Sequence, residues 1–324
     1  MTNTSAIILA GGEGKRMNSK RPKVLAEVMF KPMIKWVIDA VREAGINDIC
    51  VVTGSKHEFV EDYLDKLPFE VERVFQSERL GTGHAVMQAG DFLERHRGSD
   101  VLVLNGDAPF INADTIKKAF EMHSKNGCTV VSAEIKNPTG YGRIIHENAD
   151  SNILKSIIEE KEADDETKKI KEVNSGVYWF EVNALIDALK TLKKSARTGE
   201  YYLTDTVFSI KQTGKNVLAY KAENADSVLG ANDCIQLAEL NEIARKRILE
   251  KHMKNGVNIP CTDGVIIGTD VEIQSNTTIL PSSVIIGNAK IGSFCLIGPS
   301  AFIDGCTISD NTFTGNSCLK SKDM

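Results

Sequence analysis

The chain has 324 residues, of which 42% are hydrophobic and 26% charged, and a net charge of −5. This is the composition of a globular protein with a large core, and the length suggests about two domains. The acidic balance gives no support to a nucleic-acid or anionic-membrane partner, and no apolar run approaches the ~18 residues of a membrane span.

The opening MTNTS has no signal-peptide character. The seven cysteines (50, 128, 234, 261, 295, 306 and 318) are odd in number, scattered and free of any C-x-x-C. A cytoplasmic protein with neither a disulfide framework nor a zinc site is expected.

In chain order, Ala6–Ala10 reads as a buried strand that empties into Gly11, Gly12 and Gly14, with Lys15, Arg16 and Lys23 close behind. Glycines let the backbone approach a ligand, and consecutive N–H groups in such a loop form an anion-binding concavity. With its cations this stretch suits a triphosphate. The bland alternative is an ordinary strand–turn–helix with surface cations. A dinucleotide fingerprint would need a third glycine where Met17 stands, and a Walker loop would need Ser or Thr where Arg16 stands.

Further strands are expected at 49–53, 72–75 and 101–104, and helices at about 33–44, 57–66 and 83–95. Met33, Trp36, Val37, Ala40 and Val41 would form the inward helix face. Strand–helix alternation predicts a parallel sheet covered on both sides, with ligands at the carboxyl ends of its strands. Gln76 has both a donor and an acceptor, as reading a uracil edge requires, and Gly81-Thr82-Gly83 open a helix whose N–H groups and Thr82 hydroxyl could face a base or phosphate. His84 is expected to pack only.

Asp107, at the end of an apolar strand, is placed to bind Mg²⁺, which takes few protein oxygens and keeps phosphate and water. Asn112 or Asp114 is expected to cap the following helix. From Gly127 the pattern turns to mixed α/β with shorter strands. The charge run Glu159–Glu172 reads as a solvated, mobile connection.

A helix over 234–254 follows, with Asp233 as its cap. Then Ile267, 273, 279, 285, 291, 297 and 303 recur every sixth residue. Neither helices nor hairpins give that period, whereas a parallel β-helix does. Residues 265–315 should make just under three coils, with a slip after Ile303. A solenoid this short exposes its faces, so trimerisation through it is expected.

The L-A-x-G-x-G-x-R-M stretch followed by P-K resembles the nucleotide-sugar pyrophosphorylases. Its spacing from Arg16 to Lys23, together with G-T-G-H-A (81–85), V-N-S-G (173–176) and G-E-Y-Y-L-T-D (199–205), is most similar to the N-acetylglucosamine-1-phosphate uridylyltransferases. The resemblance runs from about Ala6 to Val257 through separate motifs in the right order. It implies an α/β, Rossmann-like nucleotidyltransferase domain with a mixed, mostly parallel sheet (1–232). A linking helix (233–256) and a short left-handed β-helix (257–324) would follow.

The reaction implied joins UTP and a sugar 1-phosphate by in-line attack, with Mg²⁺ as cofactor, in a homotrimer. The resemblance assigns Arg16 and Lys23 to catalysis, and Leu9, Ala10, Gly11, Gly12, Gly14, Gln76, Gly81 and Thr82 to the nucleotide. It assigns Gly142, Glu159 and Asn174 to the sugar, and Asp107 and Asn232 to the metal. The family more often has Tyr where Asn105 stands. Longer family members also acetylate with a catalytic His on an extended β-helix. No His follows His252 here, so acetyl transfer is not expected. Another sugar 1-phosphate, or a silent sugar-nucleotide sensor on the same fold, stays open at this point.

Overall fold

The computed structural model describes residues 3–12, 14–17, 19–124, 126–148 and 151–321. The side chain of Lys15 also lies outside the described atoms. The chain forms two compact units, Met1–Ala26 with Met33–Asp233, and Glu27–Pro32 with Cys234–Met324.

The first unit is built on a twisted sheet. Its central path runs Val217–Lys221, Cys128–Glu134, Glu172–Glu181, Asp100–Asn105, Thr4–Ala10, Asp48–Thr53, Glu72–Phe75. Every neighbouring pair is parallel except the two made by Glu172–Glu181. Two further strands, Arg143–His146 and Leu154–Ile158, branch from it.

The strands are continuous apolar runs because both faces are covered. Ile7, Cys50, Val52, Val101 and Val103 belong to one core, and Ala6, Ile8, Val51, Leu102 and Leu104 to the other. The reversed strand places its beginning, near Asn174, beside the carboxyl end of Asp100–Asn105, since Val177 pairs with Leu104 and Glu181 with Asp100.

The expected strands are present with boundaries shifted by a residue or two. Helix Met33–Glu43 buries Ile34 and Ile38 along with Met33, Val37, Ala40 and Val41. Trp36 instead sits at the margin, edge-on to Phe110 with centroids 6.3 Å apart. The helix expected over 83–95 is two, Thr82–Gln88 and Gly90–Arg95, because the chain leaves helical geometry at Ala89 (φ −85°, ψ 24°). Asn112 caps the helix Ala113–His123 by accepting from Thr115 N at 2.8 Å.

The charge run is more structured than a solvated connection. Glu160 pairs at 2.7 Å with Arg143, which is itself 1% exposed, and Asp164 caps a single helical turn, Asp165–Lys168. A buried guanidinium needs a carboxylate partner, and the run supplies it.

The second unit contains helix Cys234–Lys254 and the hairpin Glu27–Val28/Lys31–Pro32, joined by Met29 N donating to Asn241 Oδ1 at 2.8 Å. Three faces of short parallel strands follow. Ile267, Ile285 and Ile303 stack on one, Ile273 and Ile291 on the second, Ile279 and Ile297 on the third. This is the expected β-helix, with all seven isoleucines buried in its core. After Ile303 the coil shortens, so that Ile308 stacks on Ile291 and Leu319 on Ile303. On its outer surface Phe294, Leu296 and Phe313 are 63%, 38% and 68% exposed. Among the described residues no helix is long and apolar enough to cross a membrane.

Candidate active site

The first strand delivers its chain to the carboxyl edge of the sheet, where the glycine loop begins. Gly106 N donates to Leu9 O at 2.9 Å, which ties the N-G-D turn to that strand end. The glycines are required by close packing. A Cβ on Gly14, whose φ is +64°, would fall 2.6 Å from Lys23 Cβ, and one on Gly11 would fall 2.9 Å from Gln76 Oε1.

The loop therefore brings Lys23 under it, and Lys23 reaches the far side of the site. Its ammonium forms an ion pair with Asp107 and donates to Asn232 Oδ1 at 3.1 Å. Residues separated by more than a hundred positions thus converge on one cation. Gly230 makes this possible, because a Cβ there would lie 2.9 Å from the Asp107 carbonyl oxygen.

The Asp107 carboxylate and the Asn232 amide oxygen are the donor set of a hard divalent cation that keeps water and phosphate oxygens. The Lys23 ammonium lies between them as a stand-in charge, so the residues fit Mg²⁺. Among the described residues no group of three or more His, Cys, Asp or Glu could hold a metal.

A second loop faces the first. Gly83 N donates to Tyr201 O at 2.8 Å, Tyr201 N to Leu80 O at 2.7 Å, and Leu203 N to Thr82 Oγ1 at 3.0 Å. The G-T-G segment is thereby zipped to 201–203. A Cβ on Gly81 or Gly83 would meet Tyr201 O or Leu192 within 2.5 Å. The Thr82 oxygen is thus an acceptor for the backbone, while its O–H is left to donate. Gln76 is 5% exposed and donates from Nε2 to Gly81 O.

At the other end, the reversed strand is bulged between Asn174 and Tyr178. Gly176 N donates to Asn174 Oδ1 at 3.0 Å, and Asn174 Nδ2 to Tyr178 Oη at 2.6 Å, which fixes the amide. Gly176 has φ +75°, and a Cβ there would fall 2.1 Å from Asn105 Nδ2. Glu159 accepts from Thr204 Oγ1 at 2.9 Å. Burial pushes the Glu159 carboxyl above the usual range, against the opposing effect of the Thr204 hydroxyl.

These groups line two adjoining hollows of about 760 and 250 Å³. Gly11, Gly12, Arg16, Gln76 and Gly81 line the larger, Gly142 and Asn174 the smaller, and Leu9, Lys23, Thr82, Asp107, Glu159 and Asn232 both. Ala10 and Gly14 are not on the walls. Ala10 is buried in the core beneath the loop, and Gly14 packs against Lys23.

Sequence reasoning missed Arg79 and Lys161, which also line the larger hollow, as do Glu200 and Tyr202 of the G-E-Y-Y-L-T-D stretch, whose resemblance placed it on the sugar-side wall. The position of Arg79 just ahead of the G-T-G loop was a usable signal. Lys161 lay hidden within the charge run.

A sequence model of the family described as nucleotidyl transferase matches residues 5–257. The bifunctional protein GlmU of Acetivibrio thermocellus is 44% identical over 316 residues, covering 97% of this chain and 67% of that protein. Its counterpart in Caldanaerobacter subterraneus subsp. tengcongensis is 43% identical over 320 residues, 98% of this chain and 67% of that one. The Clostridioides difficile GlmU is 40% identical over 319 residues, with 98% and 68% covered. This chain thus spans about two thirds of these relatives' length. With that match and this site, the chain belongs to the nucleotidyl transferase family alongside the GlmU proteins, as a sugar-1-phosphate uridylyltransferase.

Proposed function

We propose that the protein forms UDP-N-acetylglucosamine and pyrophosphate from UTP and N-acetylglucosamine 1-phosphate in a Mg²⁺-dependent reaction. The observation that carries this reading is the convergence of Asp107 and Asn232 on the Lys23 ammonium, on the wall shared by the hollow that holds the glycine loop and the hollow that holds Asn174. A phosphate oxygen of the sugar 1-phosphate attacks the α-phosphorus of UTP. The bond to the bridging oxygen breaks on the opposite side, and pyrophosphate leaves. No covalent enzyme intermediate is needed, so the protein's task is positioning and charge.

In this reading Gly11, Gly12, Gln76, Gly81 and Thr82 hold the nucleotide, and Gly142, Glu159 and Asn174 hold the sugar. Amides and carboxylates are the groups suited to sugar hydroxyls and an N-acetyl group. Arg16 and Lys23 neutralise the triphosphate and the charge that develops on the leaving group. Asp107 and Asn232 would hold Mg²⁺, which would supply further neutralisation of phosphate charge.

The exposed Phe294, Leu296 and Phe313 on the β-helix support assembly as a homotrimer through that unit. Phe313→Glu in the full chain should then yield monomers by light scattering. A cytoplasmic location follows from the nucleotide substrates. The central test is pyrophosphate release from UTP with a panel of sugar 1-phosphates, with Mg²⁺ or with chelator. Release with N-acetylglucosamine 1-phosphate that chelator abolishes is expected. Preference for another sugar would reassign the substrate, and chelator-resistant turnover would refute the metal pair.

A further inference from the structure

Gln76 and His84 form a pair whose chemistry leaves little choice. The Gln76 amide nitrogen lies 3.2 Å from the Gly81 carbonyl oxygen and 3.1 Å from His84 Nδ1. A carbonyl only accepts, so the end of the amide that faces Gly81 is the NH₂. Oε1 is then the end turned toward Gly11, where a Cβ would lie 2.9 Å away. With one N–H on Gly81 and the other on Nδ1, the amide has only an acceptor left to present.

His84 is approached by a second amide. Gln88 Nε2 lies 3.2 Å from its Nε2 and 3.1 Å from its backbone oxygen. A neutral imidazole has one acceptor nitrogen and one N–H, so it cannot accept from both. Gln76 is 5% exposed, so its second N–H has little access to solvent, whereas Gln88 is only half-buried and can turn its amide away from the ring and the His84 carbonyl oxygen to solvent. The lone pair on Nδ1 therefore belongs to Gln76, because an unmet buried donor is the costlier defect. The ring itself stacks on Tyr201 with centroids 6.2 Å apart, which holds its plane.

We infer that His84 is a positioning residue for base selection: it consumes the second N–H of Gln76, so that only Oε1 faces the base. A pyrimidine carrying N–H at ring position 3, as uracil does, is matched by that acceptor. Cytosine presents a lone pair there and is repelled. Without His84 the amide can swing its freed N–H into the hollow and donate to cytosine. The inference rests on the reading that Gln76 and the 81–83 loop take the base of UTP.

The test is calorimetric titration of UTP and of CTP, with Mg²⁺ present, into the full chain and three variants. His84→Phe keeps a ring against Tyr201 without an acceptor. His84→Asn places an amide oxygen close to the position of Nδ1. His84→Gln reaches only the Nε2 position, and serves if the Phe variant does not fold. The UTP-over-CTP affinity ratio should fall about five- to tenfold in the Phe and Gln variants, what one neutral hydrogen bond is worth, and return in the Asn variant.

A packing role would weaken both nucleotides alike and leave the ratio unchanged. An unchanged ratio in folded His84→Phe or His84→Gln overturns the inference. Equal binding of UTP and CTP by the unmodified chain would instead overturn the base-reading role of the loop, and that result appears before any substitution is made.

Discussion

Gly176→Ala separates backbone strain from crowding of the site. Gly176 has φ +75°, a region that costs an alanine about 1–2 kcal/mol. In a domain of this size that is roughly 3–6 °C of Tm. The new Cβ would also fall 2.1 Å from Asn105 Nδ2, where ordinary contact begins near 3.4 Å. Asn105 must therefore retreat by more than about 1 Å, and it borders both hollows.

Misplacement on that scale should raise KM for the sugar 1-phosphate by about tenfold or more, while UTP affinity at the other end is kept. The assay is steady-state kinetics with each substrate varied, alongside thermal denaturation. Adding Asn105→Gly should relieve the crowding and restore KM, but leave Tm low, because the strained backbone remains. Recovery of both quantities, or an equal loss of UTP affinity, would refute the reasoning.

Lys23→Ala should lower kcat by about 10²–10³, the usual cost of removing a preorganised charge from a transition state, with Tm nearly unchanged. Near-normal turnover in the folded variant would remove Lys23 from the mechanism. Glu159 has its carboxyl raised by burial, so the folded state holds that proton more tightly than the unfolded chain. The stability it contributes is present below the unfolded value near 4.5 and is lost as pH rises through the raised folded value. Glu159→Gln keeps an acceptor for Thr204 and should flatten this fall, seen as a smaller change in urea midpoint between acid and neutral pH. An identical pH profile in the variant would show that the carboxyl ionises freely.

The parts of the fold governed by local patterns were legible in the residues. Ala6–Ala10 ending in glycines, Asp107 at a strand end and the isoleucines at every sixth position each follow from a short-range rule. The site residues that paired across the chain were legible only by resemblance, since nothing near Asn232 announces that Gly230 lets it reach Asp107.

Other features required the fold itself. Trp36 was assigned to the inward face because it has the right spacing, but the adjacent Ile34 and Ile38 fill the core better. The acidic run looked like a solvated connection because its partner, the buried Arg143, lies well before it in sequence. The G-T-G glycines read as ligand-facing. Their tightest constraints are the Tyr201 backbone against Gly81 and the Leu192 side chain against Gly83, contacts between segments more than a hundred residues apart. The contact between His84 and Gln76 joins a helix to the preceding strand–loop junction, and no local pattern announces it.

The one reversed strand of the central path has a consequence for how such an enzyme can diversify. Strands that share one direction deliver the nucleotide-side loops and Asp107, while the strand of opposite polarity brings Asn174 to the same rim from the other way. The glycine loop and Asn174 are thus hung on separate stretches of chain, joined through the pairing with Asp100–Asn105. Loops on the reversed side can lengthen, shorten or exchange side chains without disturbing the glycine loop or its cation. Acceptor preference and donor preference are independent variables of one scaffold, and a change of sugar need not be accompanied by a change of nucleotide.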